Sequence, residues 1–281
     1  MDPDRTNADN SGRGASAVGA SPFIGLLSSG QLFDGGGGQL FISAEATKVS
    51  PFQKPEEGKT PAIAALSRDY VMTQVEASLR RLGTDYIDLY LYHNPDQRTP
   101  AEELARTMDA LVRAGKIRYC GASNFSPKQI GEFLDTGSSR RNSAPLAGLE
   151  DYYNIIAGTR RDLMEDELFP LIRRGRLGLM AFSPIAEGRL APGREVDRSK
   201  PWAPVVDVLD KVARELSVTR PQVCVAWVLA RQEVTSVLAG AELPEHVDDN
   251  FAGTRLVLPA AALAALNAAS DKLRSVDTSG R

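Results

Sequence analysis

From residue 39 onward, strand-like and helix-like segments follow one another in a regular order, and this constrains the fold more than any other feature of the 281-residue chain. Seven segments have the short apolar or β-branched runs of strands: QLFISAEATKV (39–49), YIDLYLYH (86–93), IRYCGAS (117–123), LAGLEDYYN (146–154), LGLMAFSP (177–184), VTSVLAG (234–240) and RLVLP (255–259). The segments between them have helical periodicity. SRDYVMTQVEASLRRLG (67–83) puts Val71, Val75, Leu79 and Leu82 at helical spacing and stops at a glycine. PAEELARTMDALVRAGK (100–116) opens with Pro and two Glu and ends basic, as the helix dipole favours. Helices are also expected at 126–137 and 161–175, as a pair in APVVDVLDKVARELSV and RPQVCVAWVLAR, and in LPEHVDDNFAG and PAAALAALNAASDKL.

Alternation at this spacing calls for parallel strands joined by helical crossovers. The expected fold is therefore α/β, a TIM (β/α)8 barrel, whose usual size is roughly 250 residues. The alternative is an open doubly wound sheet, which usually carries a Gly-rich turn after its first strand. Here the only glycine run, 35–38, precedes a strand and reads as a loop. Residues 1–20 are rich in Asn, Asp, Gly, Ser and Ala and do not resemble a buried strand, and 21–33 suggests a helix. The expectation is an irregular, partly flexible segment over 1–38 and a barrel domain over 39–281, with the first barrel strand missing or degraded.

Charge and composition narrow the function. With 33 basic and 36 acidic side chains and a net charge of -3, the chain lacks the basic surface of a nucleic-acid or anionic-membrane binder. No apolar run approaches the ~18 residues of a membrane span, and the N-terminus has no secretory pattern. The two cysteines, Cys120 and Cys224, read as reduced packing residues of a cytoplasmic protein, and with two histidines no metal site is expected.

In a barrel of this type, chemistry sits at the C-terminal strand ends. Those ends carry Lys48, His93, Ser123-Asn124, Glu150 to Asn154, Phe182-Ser183 and Gly240-Ala241-Glu242. Taken singly, each has a plainer reading: a solvated lysine, a hydrogen-bonded structural histidine, a helix N-cap at Ser-Asn, a turn serine. Their convergence on one mouth favours function.

These residues lie in motifs that resemble the aldo-keto reductases, most closely the branch of the aflatoxin-aldehyde reductases and, more distantly, potassium-channel beta subunits. The motifs are TKV (47–49), DLYLYHNPD (88–96), AGKIRYCGASNFS (114–126), DYYN (151–154), ELFPLIRRGRLGLMAFSPIAEG (167–188) and GAELPEHVDDN (240–250), in family order over about 240 residues. The resemblance implies hydride transfer from NADPH to a small aldehyde or ketone, catalysed by an Asp, a Tyr, a Lys and a His. It places the lysine at Lys48 and the histidine at His93. Ser123 and Asn124 would bind the cofactor carboxamide, with Phe182 stacking on the nicotinamide and Ser183 beside it. His246, Asp249 and Asn250 keep part of the adenine side, although His246 also reads as a plain helix-surface residue.

The chain departs from the family at three places. The family's Asp and Tyr lie five residues apart in an N-terminal stretch. Here Asp2 can take the aspartate position, with Asn7 where the tyrosine belongs, and a second register from Thr6 puts Ser11 there. The first tyrosine of the chain is Tyr70. Loss of a placed proton donor costs ~10²–10⁴ in rate, and His93, with a reference pKa near ~6.5, is a substitute donor. Glu242 stands where the 2′-phosphate of NADPH would be held, which brings in NADH. Glu150 replaces a carboxamide-binding Gln. Two rivals follow: a catalytically impaired barrel that binds a dinucleotide or a partner protein, and a truncated chain.

Overall fold

The computed structural model describes residues 46–51, 65–96, 98–138 and 146–278. Asp2, Asn7, Ser11, the expected helix at 21–33 and the first half of the 39–49 strand lie outside the described residues. Six strands are seen: β1 (Ala46–Val49), β2 (Ile87–Tyr92), β3 (Ile117–Ser123), β4 (Leu146–Tyr152), β5 (Gly178–Phe182) and β6 (Val234–Leu238). All neighbours are parallel, and the order is β1-β2-β3-β4-β5-β6. A doubly wound sheet reverses its order partway. This one does not, and it is the sheet of a TIM barrel.

Helices follow the strands: α1 (Arg68–Leu82), α2 (Ala101–Arg113), α3 (Pro127–Ser138), α4 (Thr159–Asp162), α5 (Phe169–Gly175), α6 (Ala203–Leu216), α7 (Arg220–Leu229), α8 (Pro244–Arg255) and α9 (Ala260–Asp271). α1 stops where Gly83 takes a left-handed φ of 70° and donates its N–H to Leu79. A capping box of Thr219 and Gln222 starts α7.

Strand alternation sorts the side chains. Tyr90 and Tyr92 are buried on the outer, helix-facing side, where Tyr92 Oη donates to Leu104 O at 3.1 Å. Lys48, Leu91, Glu150, Met180 and Phe182 take the inner side. Gly121 is needed there, since a Cβ would come within 2.9 Å of Gly148 O and of the Leu91 side chain.

Two expectations are corrected. RLVLP forms no strand: α8 continues to Arg255, no strand pairs with 256–259, and Val257 is 87% exposed. Six strands are therefore described where seven were expected. The helix expected at 161–175 is interrupted by a π-helical stretch, Leu163–Leu168, between α4 and α5. Pro170, just beyond it, has no N–H to give to a regular helical ladder.

That π stretch carries Glu165, the hub of the helical layer. Glu165 accepts from Tyr153 Oη at 2.6 Å, from Arg161 Nε at 2.8 Å and Nη2 at 3.1 Å, and from Arg274 Nη1 at 3.1 Å. Arg161 reaches on to Ser270 of α9 at 2.8 Å, so the C-terminal helix is tied to the β4–β5 crossover. Burial alone would raise the Glu165 pKa. Hydrogen bonds from Arg161 and Tyr153 outweigh it and hold the carboxyl below its ordinary 4.5. A depressed folded pKa contributes stability above the unfolded value, which is lost as pH falls through the folded one. Glu165→Gln should cost about 1–3 kcal/mol at neutral pH, read from urea unfolding, because it leaves the buried Arg161 with only one of its two carboxylate partners, Asp271. Below pH 4.5 the difference from the parent protein should shrink.

Candidate active site

The inner face at the C-terminal strand ends holds an ion pair. Lys48 Nζ donates to Glu150 Oε1, with side chains only 11% and 6% exposed. β1 and β4 are separated in the sheet by β2 and β3, so this contact crosses the concave interior. His93 follows β2, and its N–H bonds to Val49 O at 2.8 Å, one residue beyond Lys48. Burial, and secondarily the Lys48 charge, push the imidazole pKa down to about 4. The ammonium and the imidazole therefore share one mouth. At neutral pH His93 is uncharged, which removes it as a strong acid and leaves it a neutral hydrogen-bonding group.

Asn124 knits three strand ends together. It has a left-handed φ of 60°, which Asn tolerates better than most residues. Its Nδ2 donates to His93 O at 3.0 Å and to Ser123 Oγ at 2.9 Å, and its backbone N–H to Asp151 Oδ1 at 2.9 Å. Both amide hydrogens are thus engaged, and Oδ1 remains as an acceptor. The Ser123 hydroxyl accepts from Asn124 and keeps its own hydrogen. One acceptor beside one donor complements a primary carboxamide. The α3 N-cap, one of the readings for Ser123-Asn124, is instead Ser126, which exchanges hydrogen bonds with Gln129.

Across the mouth, Phe182 is half-buried and meets Tyr152 edge-on, with ring centroids 5.6 Å apart. Ser183 has a φ of 58°, and its carbonyl accepts from Asn154 Nδ2 at 3.1 Å. Asp151 and Tyr152 belong to the DYYN motif at this strand end, but the sequence assigned neither a role. The period of two puts Tyr152 on the face of Glu150, and that signal was available. Burial, partly offset by the Asn124 N–H, pushes Asp151 up to about 7.

The turn after β6 is exposed at Gly240, Ala241 and Glu242. Asn250 Nδ2 reaches Gly240 O at 3.4 Å, and Glu242 N–H reaches His246 Nδ1 at 3.4 Å. Asp249 accepts from Thr219 Oγ1 at 2.8 Å and Gln222 Nε2 at 2.7 Å, so it ties α8 to the start of α7. A cavity of about 310 Å³ lies away from this mouth, among Arg161, Glu165, Arg231 and Asn267. Its polar groups are already paired with one another, and we read it as part of the helical scaffold. Among the described residues no cluster of His, Cys, Asp and Glu could hold a metal ion, and no single helix is long and apolar enough to cross a membrane.

The sequence profile of the Aldo/keto reductase family matches residues 38–271. An oxidoreductase of Bacillus subtilis (strain 168), YrpG, is 29% identical over 250 residues, 85% of this chain and 75% of its own length. An NADH-specific methylglyoxal reductase of Escherichia coli (strain K12) is 32% identical over 213 residues, 69% of this chain and 62% of its own. A probable voltage-gated potassium channel subunit beta of Arabidopsis thaliana is 32% identical over 214 residues, 69% of this chain and 64% of its own. The chain thus spans just under two thirds of the latter two relatives. A crystal structure of a thermostable aldo-keto reductase with the inhibitor epalrestat superposes with a TM-score of 0.65 at 28% identity, covering 80% of this chain and 70% of that one.

Two titrations check the electrostatics. In a proton NMR pH series, the His93 ring resonances should move with a midpoint near 4. In Lys48→Met that midpoint should rise but stay below 6.5, because burial is the larger cause. Asp151 has a folded pKa above its ordinary 3.8, so its contribution to stability is complete below 3.8 and is lost as pH rises to about 7. Asp151→Asn should abolish that decline, measured as melting temperature from pH 4 to 8 against the parent protein.

Proposed function

Because the chain belongs to the aldo/keto reductase family, we propose that it is an NAD(P)H-dependent reductase of a small aldehyde or ketone, with residues 39–281 as the catalytic domain. One observation carries this reading: the buried Lys48 ammonium and the His93 imidazole face one mouth at the C-terminal strand ends. When bound, the reduced nicotinamide supplies the hydride. Ser123 and Asn124 would hold its carboxamide through the donor and acceptor left over from their mutual bond, and Phe182 would stack on the ring. Glu150 is turned to Lys48 and is not free to serve the carboxamide alone.

His93, uncharged at neutral pH, donates a hydrogen bond to the substrate carbonyl and orients it. Lys48 adds positive charge where negative charge develops on oxygen, and does so in a buried setting where electrostatic effects are large. The motifs at 47–49 and 240–250 keep the protein beside the aflatoxin-aldehyde-reductase-like branch. The two cysteines, both buried and neither in a disulfide, favour a cytoplasmic setting.

A second reading has its own support. The first tyrosine of the sequence is Tyr70, beyond Lys48, and relatives include proteins named as channel beta subunits. The alternative is a barrel that binds the dinucleotide, or a partner, without turnover.

Titration of NADH and NADPH fluorescence should show binding of at least one at millimolar concentration or below. Absence of both would defeat the reductase and the dinucleotide-binding readings together. With binding shown, oxidation of the dinucleotide on adding methylglyoxal or 4-nitrobenzaldehyde separates the enzyme from the binder. Glu242 is exposed in the turn after β6 and opposes a 2′-phosphate, so NADH should bind the better of the two. Glu242→Arg should move the preference toward NADPH several-fold, or about 1 kcal/mol for an exposed charge pair.

A further inference from the structure

The outward face of a helix in a folded protein is normally polar, and α8 is an exception. Seven large apolar side chains are exposed among the described residues, and four of them, Leu243, Val247, Phe251 and Val257, fall within residues 243–257. They are 50%, 46%, 38% and 87% exposed. By helical spacing, Pro244, Val247, Phe251 and Arg255 share one face, with Asp248 beside them.

The other side of α8 is fixed against α7. Asn250 and Gly253 are buried there, and a Cβ on Gly253 would come within 2.9 Å of the Val225 side chain. Asp249 adds its hydrogen bonds to Thr219 and Gln222. His246, Asp249 and Asn250, the residues considered for the adenine side of the cofactor, lie off the apolar face by the same spacing. That face has no part in the reductase reading.

Charge along α8 runs in one direction. Glu245 and Asp248 lie in its first half, and Arg255 ends it, with the guanidinium over the Phe251 ring at 4.6 Å. None of these three charges has an ion-pair partner among the described residues. A contact between identical copies about a two-fold axis must match a patch to its own reverse. This face does so three times over. Reversed about its midpoint, Val247 meets Phe251 of a second copy, Leu243 meets Val257, and Arg255 meets Glu245, with Asp248 about one turn away. All three pairings centre on the same point of the helix, beside Asp249 and Asn250. Antiparallel helices also set the positive end of each dipole beside the negative end of the other.

We infer that α8 is the contact of a homodimer, in which two copies pack this face antiparallel about a two-fold axis. The helix has 12 residues, and one such helix on another falls short of the ~1,200 Å² at which stable complexes begin. The dimer is therefore a weak one that exchanges with monomer. The inference stands apart from the reductase reading.

Sedimentation velocity on the full chain, from micromolar to sub-millimolar concentration, should show a monomer–dimer equilibrium. Phe251→Asp should weaken the dimer by at least about tenfold. Arg255→Glu should do the same by setting acid against acid. A double variant, Glu245→Arg with Asp248→Arg, should also be monomeric, because its added cations face Arg255. Mixed in equal amounts, the Arg255→Glu chain and the double variant should dimerise again, since each then meets the opposite charge. All the substituted side chains lie on the outer side of α8, so melting temperatures should stay within a few degrees of the parent. A parent that stays monomeric over this range would overturn the inference, whether solvent or another occupant covers the face. So would a dimer that Phe251→Asp or Arg255→Glu leaves unchanged. A mixture that fails to dimerise would overturn the antiparallel arrangement.

Discussion

The structure depends on one rule of parallel strands: alternate residues go to opposite faces, and every strand end of one polarity lies at one rim. Lys48 and Glu150 are 102 residues apart in sequence and three strands apart in the sheet, yet they touch. They do so only because both occupy inner-face positions near the same rim. A buried ion pair of this kind brings little net stability, since desolvation opposes the attraction, and breaking one side of it is expensive. An apolar pair would fill that space at no electrostatic cost. The retention of both charges is easier to understand as a requirement of the site than of the fold.

The pair also sets the character of its neighbour. His93 is only partly covered, but the cavity wall and the nearby ammonium both oppose its protonation. An imidazole that stays neutral through the physiological range can orient a carbonyl without competing for the same protons. Asp151, one residue from Glu150 but on the opposite face, shows the reverse effect. It is buried with one hydrogen bond and a like charge nearby, and its carboxyl takes up a proton readily. Adjacent carboxylates on one strand thus sit in opposite regimes, one beside a cation and one among apolar side chains.

The sheet order and the strand-end residues were legible because a period of two and a period of about 3.6 are local signals. Six of the seven expected strands are present, at nearly the expected positions. RLVLP misled because β-branched content says nothing about whether an edge is available to pair with. The π stretch before Pro170 was hidden because helical spacing at 161–175 is compatible with either ladder. Ser126 was overlooked as the α3 cap because Ser123 and Asn124 are equally good cap types; the choice was decided by where Gln129 falls. The Glu150 contact could not be read at all. In sequence it is a Gln replaced by an acid, and only the curvature that brings β1 opposite β4 shows which cation it meets.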